Sequence, residues 1–275
     1  MENIRHLEHI SLRAWASLET EAYDGWLLRY AKGYTGRANS VQPLDSSSLP
    51  LIQKIDYCEN WYAQRNLPTI FRLTSAMQPP ELEAVLGARD YQRYNETLVQ
   101  VSDLKVLSPK QSANFHFENS VSDTWLEAWA TWNNVPEKHI TTAKRMLSDE
   151  STNACFAWID DIAVGLAICE ATLVGHHGIG KIMRPGKSIK NRESHLIKKD
   201  AYVGLFDIVV EPSQRGQGVG FSLVNSLLAW GKSQGANRAY LQVVANNASA
   251  LALYDKLGFE THHHYWYRRQ AKDIK

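Results

Sequence analysis

Tyr202-Val203-Gly204-Leu205-Phe206-Asp207-Ile208-Val209-Val210 runs into Glu211-Pro212 and then into Ser213-Gln214-Arg215-Gly216-Gln217-Gly218-Val219-Gly220. The first run is β-branched and aromatic and predicts a buried strand. Proline has no N–H for a ladder, so Pro212 marks the strand end. Beyond the glycines, Phe221 to Trp230 carries apolar residues at helical spacing. Strand, glycine loop and helix in this order favour a bound pyrophosphate. Glycines allow close backbone approach, successive N–H groups point into the loop, and a helix N-terminus adds partial positive charge. The third glycine comes one residue too early for the dinucleotide fingerprint, and no Walker lysine follows. A glycine-rich turn with no ligand is the alternative that the loop alone leaves open.

The residues downstream narrow the choice. Arg238 to Val244 predicts another strand, and Asn246 to Phe259 predicts a capped helix ending at Gly258. Arg215-Gly216-Gln217-Gly218-Val219-Gly220, followed in order by the Asn-x-x-Ala-x-x-x-Tyr-x-x-x-Gly-Phe pattern from Asn247 to Phe259, resembles the two diagnostic segments of the GNAT superfamily of acyl-CoA N-acyltransferases. The resemblance extends over roughly residues 114–269. It implies an α/β (α+β) fold with a mixed, mostly antiparallel central sheet flanked by helices. A strand over 115–119, helices over 122–132 and 137–147, and a hairpin over 153–170 turning near Asp160 fit the family's order.

The sequence also matches itself. A shift of 169 residues places Val41-Gln42-Pro43 on Val210-Glu211-Pro212, Trp61 on Trp230 and Phe71 on Tyr240, preserving strand end, helix and next strand in one register. The glycine loop then falls on Ser46-Ser47-Ser48-Leu49-Pro50-Leu51, where a proline and side chains would obstruct backbone approach to a phosphate. This predicts a degenerate GNAT-like domain over 1–108 and a GNAT acetyltransferase domain over 109–275 with a basic insertion at 171–200. Two unrelated α/β domains are the plainer alternative.

By resemblance, Ile208, Val209 and Val210 offer backbone groups to the pantetheine arm of acetyl-CoA. Arg215, Gly216, Gln217, Gly218, Val219, Gly220 and Phe221 hold its pyrophosphate, and an N–H near Val209 polarises the thioester carbonyl. Tyr254 takes the family position that protonates the departing thiolate, and Asn247 the position that bonds the cofactor or a water beside it. Plainer readings stand beside these: Tyr254 as a packed ring, Asn247 as a helix N-cap, Arg215 as a surface charge. Gln242 stands where some relatives place a glutamate base, and an amide cannot take a proton from an ammonium group. Asp207, Glu170 and Glu211 lie near the expected cleft, with solvated surface carboxylates as the ordinary reading. The resemblance thus implies acetyl transfer to a primary amine of a small molecule or peptide by direct attack in a ternary complex. A CoA-binding sensor without turnover is the competing reading.

Composition sets outer limits. The 275 residues suit two domains, and 30 basic against 29 acidic side chains leave a net charge of +1. That balance gives no footprint for nucleic acid or an anionic membrane. The charged N-terminus lacks a signal-peptide stretch, and no uncharged run approaches the ~18 residues of a membrane span. A cytoplasmic protein is expected. Cys58, Cys155 and Cys169 form no CxxC pair and read as reduced core residues. His262-His263-His264 alternate faces on a strand and so do not converge on one metal; no metal site is expected. Gly175 to Lys181 starts like a P-loop, but Ile182 stands where a magnesium-binding hydroxyl belongs. Trp125, Trp129 and Trp132 share one helix face, suited to core packing or to the wall of an acceptor pocket.

Overall fold

The computed structural model describes residues 4–148, 153–160, 162–171 and 201–270. The P-loop-like stretch and the basic insertion beyond Ala171 lie outside them. The first half contributes α1 (Ile4–Ala14), β1 (Glu19–Tyr23), β2 (Trp26–Tyr30), β3 (Val41–Gln42), α2 (Leu51–Ala63), β4 (Ile70–Thr74), α3 (Leu82–Ala88) and β5 (Tyr91–Asp103). The second contributes β6 (His116–Glu118), α4 (Asp123–Trp132), α5 (Glu137–Leu147), β7 (Asn153–Ile159), β8 (Ala163–Ala171), β9 (Ala201–Val210), α6 (Val219–Ser233), β10 (Arg238–Val244), α7 (Ala248–Lys256) and β11 (Glu260–Gln270). None of the described helices is long and apolar enough to cross a membrane.

All described strands join one sheet in the order β1-β2-β3-β4-β11-β5-β10-β9-β8-β7-β6. With β6 set aside, the order is the same from either end once each element is exchanged for its counterpart in the other half. The last strand of each half has crossed over: β11 pairs with β4, β5 pairs with β10, and the two pair with each other. The shift of 169 that aligns the sequence halves carries Tyr91, the start of β5, onto Glu260, the start of β11. Two similar halves thus close one sheet by exchanging their last strands.

Three apolar clusters cover the sheet. One joins Leu7 and Ile10 of α1 to Trp125 and Trp129 of α4 and to Phe206 of β9. The second packs α6 and α7 on the opposite face through Leu223, Leu227 and Tyr254. The third seats α2 and α3 on the first half through Ile55, Trp61 and Leu86. Trp125 and Trp129 stack with ring centres 5.9 Å apart and are buried, while Trp132 is half-buried, so core packing accounts for the first two of the tryptophan stripe. Cys58 and Cys155 are buried and Cys169 half-buried, all three as free thiols. Burial pushes Cys155 and Cys169 up to about 12.

One polar cluster is sealed where the halves interleave. Glu8 of α1 is buried between Arg72 of β4, with which it forms an ion pair, and His263 of β11, whose Nε2 lies 2.7 Å from Oε1. Gln42 accepts from Arg72 at 3.2 Å, and the guanidinium lies 3.7 Å over the ring of Tyr265. Burial alone would raise the Glu8 carboxyl, but Arg72 and His263 outweigh it and hold the group at about 2. The folded value lies below the ordinary 4.5. The carboxylate's contribution is therefore complete above that pH and drains away as pH falls toward 2. Removing one partner leaves a buried charge uncompensated. Glu8→Ala should therefore cost about 3–5 kcal/mol of unfolding free energy, read as a lower urea midpoint. A midpoint unchanged at pH 7 would contradict the ion pair's role.

Candidate active site

The site begins with one surplus residue in β9. Val164 of β8 faces Val209 and Leu166 faces Phe206, so Asp207 and Ile208 together oppose Gly165. This is a β-bulge, with Asp207 in the left-handed region at φ 49°. Gly165 is what the bulge requires across from it, since a Cβ there would lie 2.9 Å from Ile208 Cδ1 and 3.0 Å from Leu227 Cδ1. A bulge bends its strand and increases the twist. Accordingly β9 and β10 pair in parallel only from Tyr202 with Arg238 to Leu205 with Leu241, although β9 runs on to Val210 and β10 to Val244. Past that point the two strands part and leave main-chain groups facing the gap. Glu211 N–H bonds Ile162 O at 2.8 Å on the β8 side. Strand alternation then turns Val209 toward β8 and Val210 toward the gap, where Arg215 Nε donates to the Val210 carbonyl at 3.1 Å.

The glycine loop caps the opening. Gly216 and Gly218 have φ of +78° and +83°, and a Cβ on either would meet no atom within 4 Å, so the space over both is open. Gly218 is the N-cap of α6, and no side chain caps that end. The first intrahelical bond runs from Ser222 N–H to the Gly218 carbonyl, so Val219, Gly220 and Phe221 present N–H groups without helical partners. Phe221 is exposed, and Gln217 bonds back to the Ser213 carbonyl at 3.4 Å.

The remaining expected residues separate. Asn247 is the N-cap of α7, its Oδ1 accepting from Ala250 N–H at 3.2 Å and Ser249 Oγ at 3.1 Å. Tyr254 lies on the same helix with its ring buried in the α6–α7 core, and burial pushes its hydroxyl up to about 12, so it stays protonated at neutral pH. Gln242, paired with Val99 of β5 and lying past the end of the β9 pairing, accepts from Tyr265 Oη at 3.3 Å. Glu211 caps the turn that follows β9 by accepting from Ser213 N–H at 2.7 Å, and the Glu170 side chain lies outside the described residues. Asp207 is the exception among the three carboxylates: its Oδ2 is sealed from solvent with no hydrogen-bond partner, although the residue as a whole is half-exposed. Of the histidines, His263 and His262 meet at 2.8 Å between their Nδ1 atoms, and His264 pairs with Glu96 at 3.0 Å. An open depression of about 660 Å³, lined by Arg89, Arg93 and Arg268, shares no residue with this site. Its arginines are already paired with Asp56, Glu59, Glu96 and Glu83.

Sequence comparison settles the family. The family described as "Probable histone acetyltransferase Rv0428c C-terminal" matches residues 2–183 and 196–268, well beyond the 114–269 over which the motifs carried the resemblance. The chain belongs to this family, within the GNAT superfamily. It is 26% identical over 279 residues to the uncharacterized N-acetyltransferase YobR of Bacillus subtilis (strain 168), covering 98% of this chain and all of the relative. In fold it is similar to a GCN5-related N-acetyltransferase from Kribbella flavida, with TM-score 0.60 at 13% identity over 98% of this chain and 96% of that one. It is also similar to a tandem GNAT protein from the clavulanic acid biosynthesis pathway, with TM-score 0.50 at 14% identity over 98% of this chain and 87% of that one. The protein is a GNAT N-acetyltransferase.

In this acetyltransferase the first half builds the counterpart of the glycine loop differently. Asp24, in the β1–β2 turn, accepts from Ser48 N–H at 3.0 Å, Ser48 Oγ at 3.0 Å and Leu49 N–H at 2.9 Å, and Lys54 Nζ lies 3.3 Å away. The Leu49 N–H foremost, with Ser48 and Lys54, outweighs the opposing effect of burial and draws the Asp24 carboxyl down to about 2. The counterpart strands pair only through Val41 with Phe71, and beyond them Pro43 O accepts from Gln78 N–H at 2.7 Å. A protein carboxylate thus occupies the turn that leads into α2. Sequence reading missed this anion, the bulge and the Glu8 cluster. Only the bulge left a local signal, a charged residue in the middle of an apolar strand.

Gly218→Ala should lower stability by about 1–2 kcal/mol through the left-handed backbone alone, because nothing crowds the new methyl group. Unchanged thermal denaturation would contradict the loop geometry.

Proposed function

We propose that this enzyme transfers the acetyl group of acetyl-CoA to a primary amine of a small molecule or peptide by direct attack in a ternary complex. The observation that carries the reading is the parting of β9 and β10 beside an uncapped helix N-terminus under two left-handed glycines. A pyrophosphate suits that terminus, since partial positive charge and free N–H groups converge there. Gly216, Gln217, Gly218, Val219, Gly220 and Phe221 would hold it, with Arg215 alongside once its bond to Val210 yields. Ile208, Val209 and Val210 form the edge that receives the pantetheine arm.

Acetyl-CoA supplies an activated acyl group whose carbonyl oxygen gains charge during attack. Main-chain N–H groups beside Val209, at the bulge and at Val210, are the fixed donors for that oxygen, and they need little reorganisation as charge develops. Tyr254 keeps its proton at neutral pH and donates toward the leaving sulfur. An ordinary thiol near 8.5 is a stronger acid than this tyrosine, so its role is hydrogen bonding with transfer coupled to bond cleavage, not prior ionisation. Asn247 orients α7 by capping it and leaves its amide NH2 for the donor.

The division of labour belongs to the same proposal. Residues 109–275 bind the donor, while 1–108 act as a scaffold whose own anion position is filled by Asp24. The names of matched proteins extend to a ribosomal protein bS18-alanine N-acetyltransferase of Escherichia coli, 42% identical over 55 residues, and a mycothiol acetyltransferase of Amycolatopsis mediterranei, 31% identical over 127. These short matches fit amine acceptors of either size class. A CoA sensor is the second reading, favoured by Gln242 being bound to Tyr265 and unable to act as a base.

Calorimetry tests the donor site: Gly218→Trp should abolish CoA binding with the fold retained, and wild-type affinity in that variant would refute the assignment. Tyr254→Phe should lower kcat by about a hundredfold with little change in acetyl-CoA affinity. Full activity in that variant would remove Tyr254 from the chemistry, and binding without turnover across a broad amine panel would favour the sensor.

A further inference from the structure

Asp207 pays a double penalty where it stands: a left-handed backbone conformation and a carboxylate oxygen buried without a hydrogen bond. Its surroundings come from both halves of the chain. Trp129 of α4 turns its indole N–H toward the carboxylate without reaching hydrogen-bond geometry. Tyr34 packs edge-on to Trp129 at 6.1 Å and beside His139 at 5.8 Å. Arg37 is the near cation, yet among the described residues it makes no ion pair with Asp207. Its guanidinium is stacked 4.4 Å over Trp15 and 5.8 Å over Phe206.

The segment presenting Tyr34 and Arg37 is tightly built. Asn39 is buried and accepts from Ala31 N–H at 2.8 Å and Gly33 N–H at 2.9 Å, while its amide donates to Thr35 O at 2.8 Å. Arg29 donates to the Arg37 carbonyl at 2.8 Å. The first half therefore fixes an aromatic and cationic wall opposite a carboxylate of the second, next to the gap between β9 and β10. An unpaired carboxylate among aromatic rings is a receptor for an ammonium group.

We infer that Asp207 is the catalytic residue that receives the acceptor's ammonium group and takes its proton, inside a pocket whose other wall, Tyr34 and Arg37, comes from the first half. The inference rests on the acetyltransferase reading and names the base that Gln242 cannot be. The ammonium proton passes to Asp207, and the nitrogen lone pair forms the N–C bond. The C–S bond breaks with its electrons to sulfur, and the nitrogen's surplus proton goes to the thiolate through Tyr254. Asp207 then releases its proton to water. The titratable or charged groups facing Asp207 are Tyr34 and Arg37, and His139 packs beside Tyr34. Burial foremost, then the Asp207 charge, raises Tyr34, and burial foremost lowers His139, so neither contributes charge at neutral pH.

The test uses the full chain and tryptophan fluorescence, with Trp15 and Trp129 as reporters. The probes are butylamine, tyramine and an alanine tripeptide, with butanol and tyrosol as uncharged controls. Wild-type protein should bind at least one ammonium probe, about ten- to a hundredfold more tightly than Asp207→Asn, and the controls should not distinguish the two. Tyr34→Ala should weaken the same probe while Tyr34→Phe keeps it. With a turned-over amine, the acid limb of the kcat/KM profile should disappear in Asp207→Asn. Acetyl-CoA calorimetry on each variant separates the two readings: donor binding lost in the wild type defeats the acetyltransferase proposal. With donor binding intact, equal ammonium affinity in wild type and Asp207→Asn, or no ammonium binding by either, overturns the pocket.

Discussion

The bulge at Asp207 and Ile208 is the constraint on which the rest of this protein depends. Two residues of β9 share one partner position at Gly165, so the strand must bend there, and the bend carries it off β10 after Leu205. The opening between the strands is therefore a consequence of hydrogen-bond register, not of a flexible loop. The same displacement sets Asp207 against α4 and the 31–39 segment and leaves Ile208 to pack on Gly165. Trp125 steadies the bulge by donating its indole N–H at 3.2 Å to the carbonyls of Gly165 and Ala157.

The interleaved sheet gives that opening rigid walls. Because β5 lies between β10 and β11, the second half borrows a strand from the first and lends one in return. Neither half completes its sheet alone. The Glu8, Arg72 and His263 cluster fastens α1 to this crossover from the face that also holds Trp15 and Phe206. The first half thus meets the bulge through shared strands and through Tyr34 and Arg37, while Asp24 binds the segment that corresponds to the glycine loop. The turn before α2 is bound by a carboxylate already in the chain, whereas Val219, Gly220 and Phe221 at the start of α6 keep N–H groups without helical partners.

The stretch from Tyr202 to Gly220, read with Asn247 to Phe259, determined the family and the strand, loop and helix order, because those signals are local: glycine where φ is positive, proline at the strand end, apolar residues at helical spacing. The shift of 169 likewise determined that two similar halves follow one another, since matched elements keep matched spacing. Tertiary structure alone decided what depends on distant partners. The bulge needs Gly165 opposite Asp207. The crossover needs β5 and β11 side by side, and the charge cluster joins residues 64 and 255 positions apart. Asp24 reaches the turn before α2 across 24 residues. Pairing register and burial of charge are set by which surfaces meet, and one position at a time the sequence does not encode that meeting.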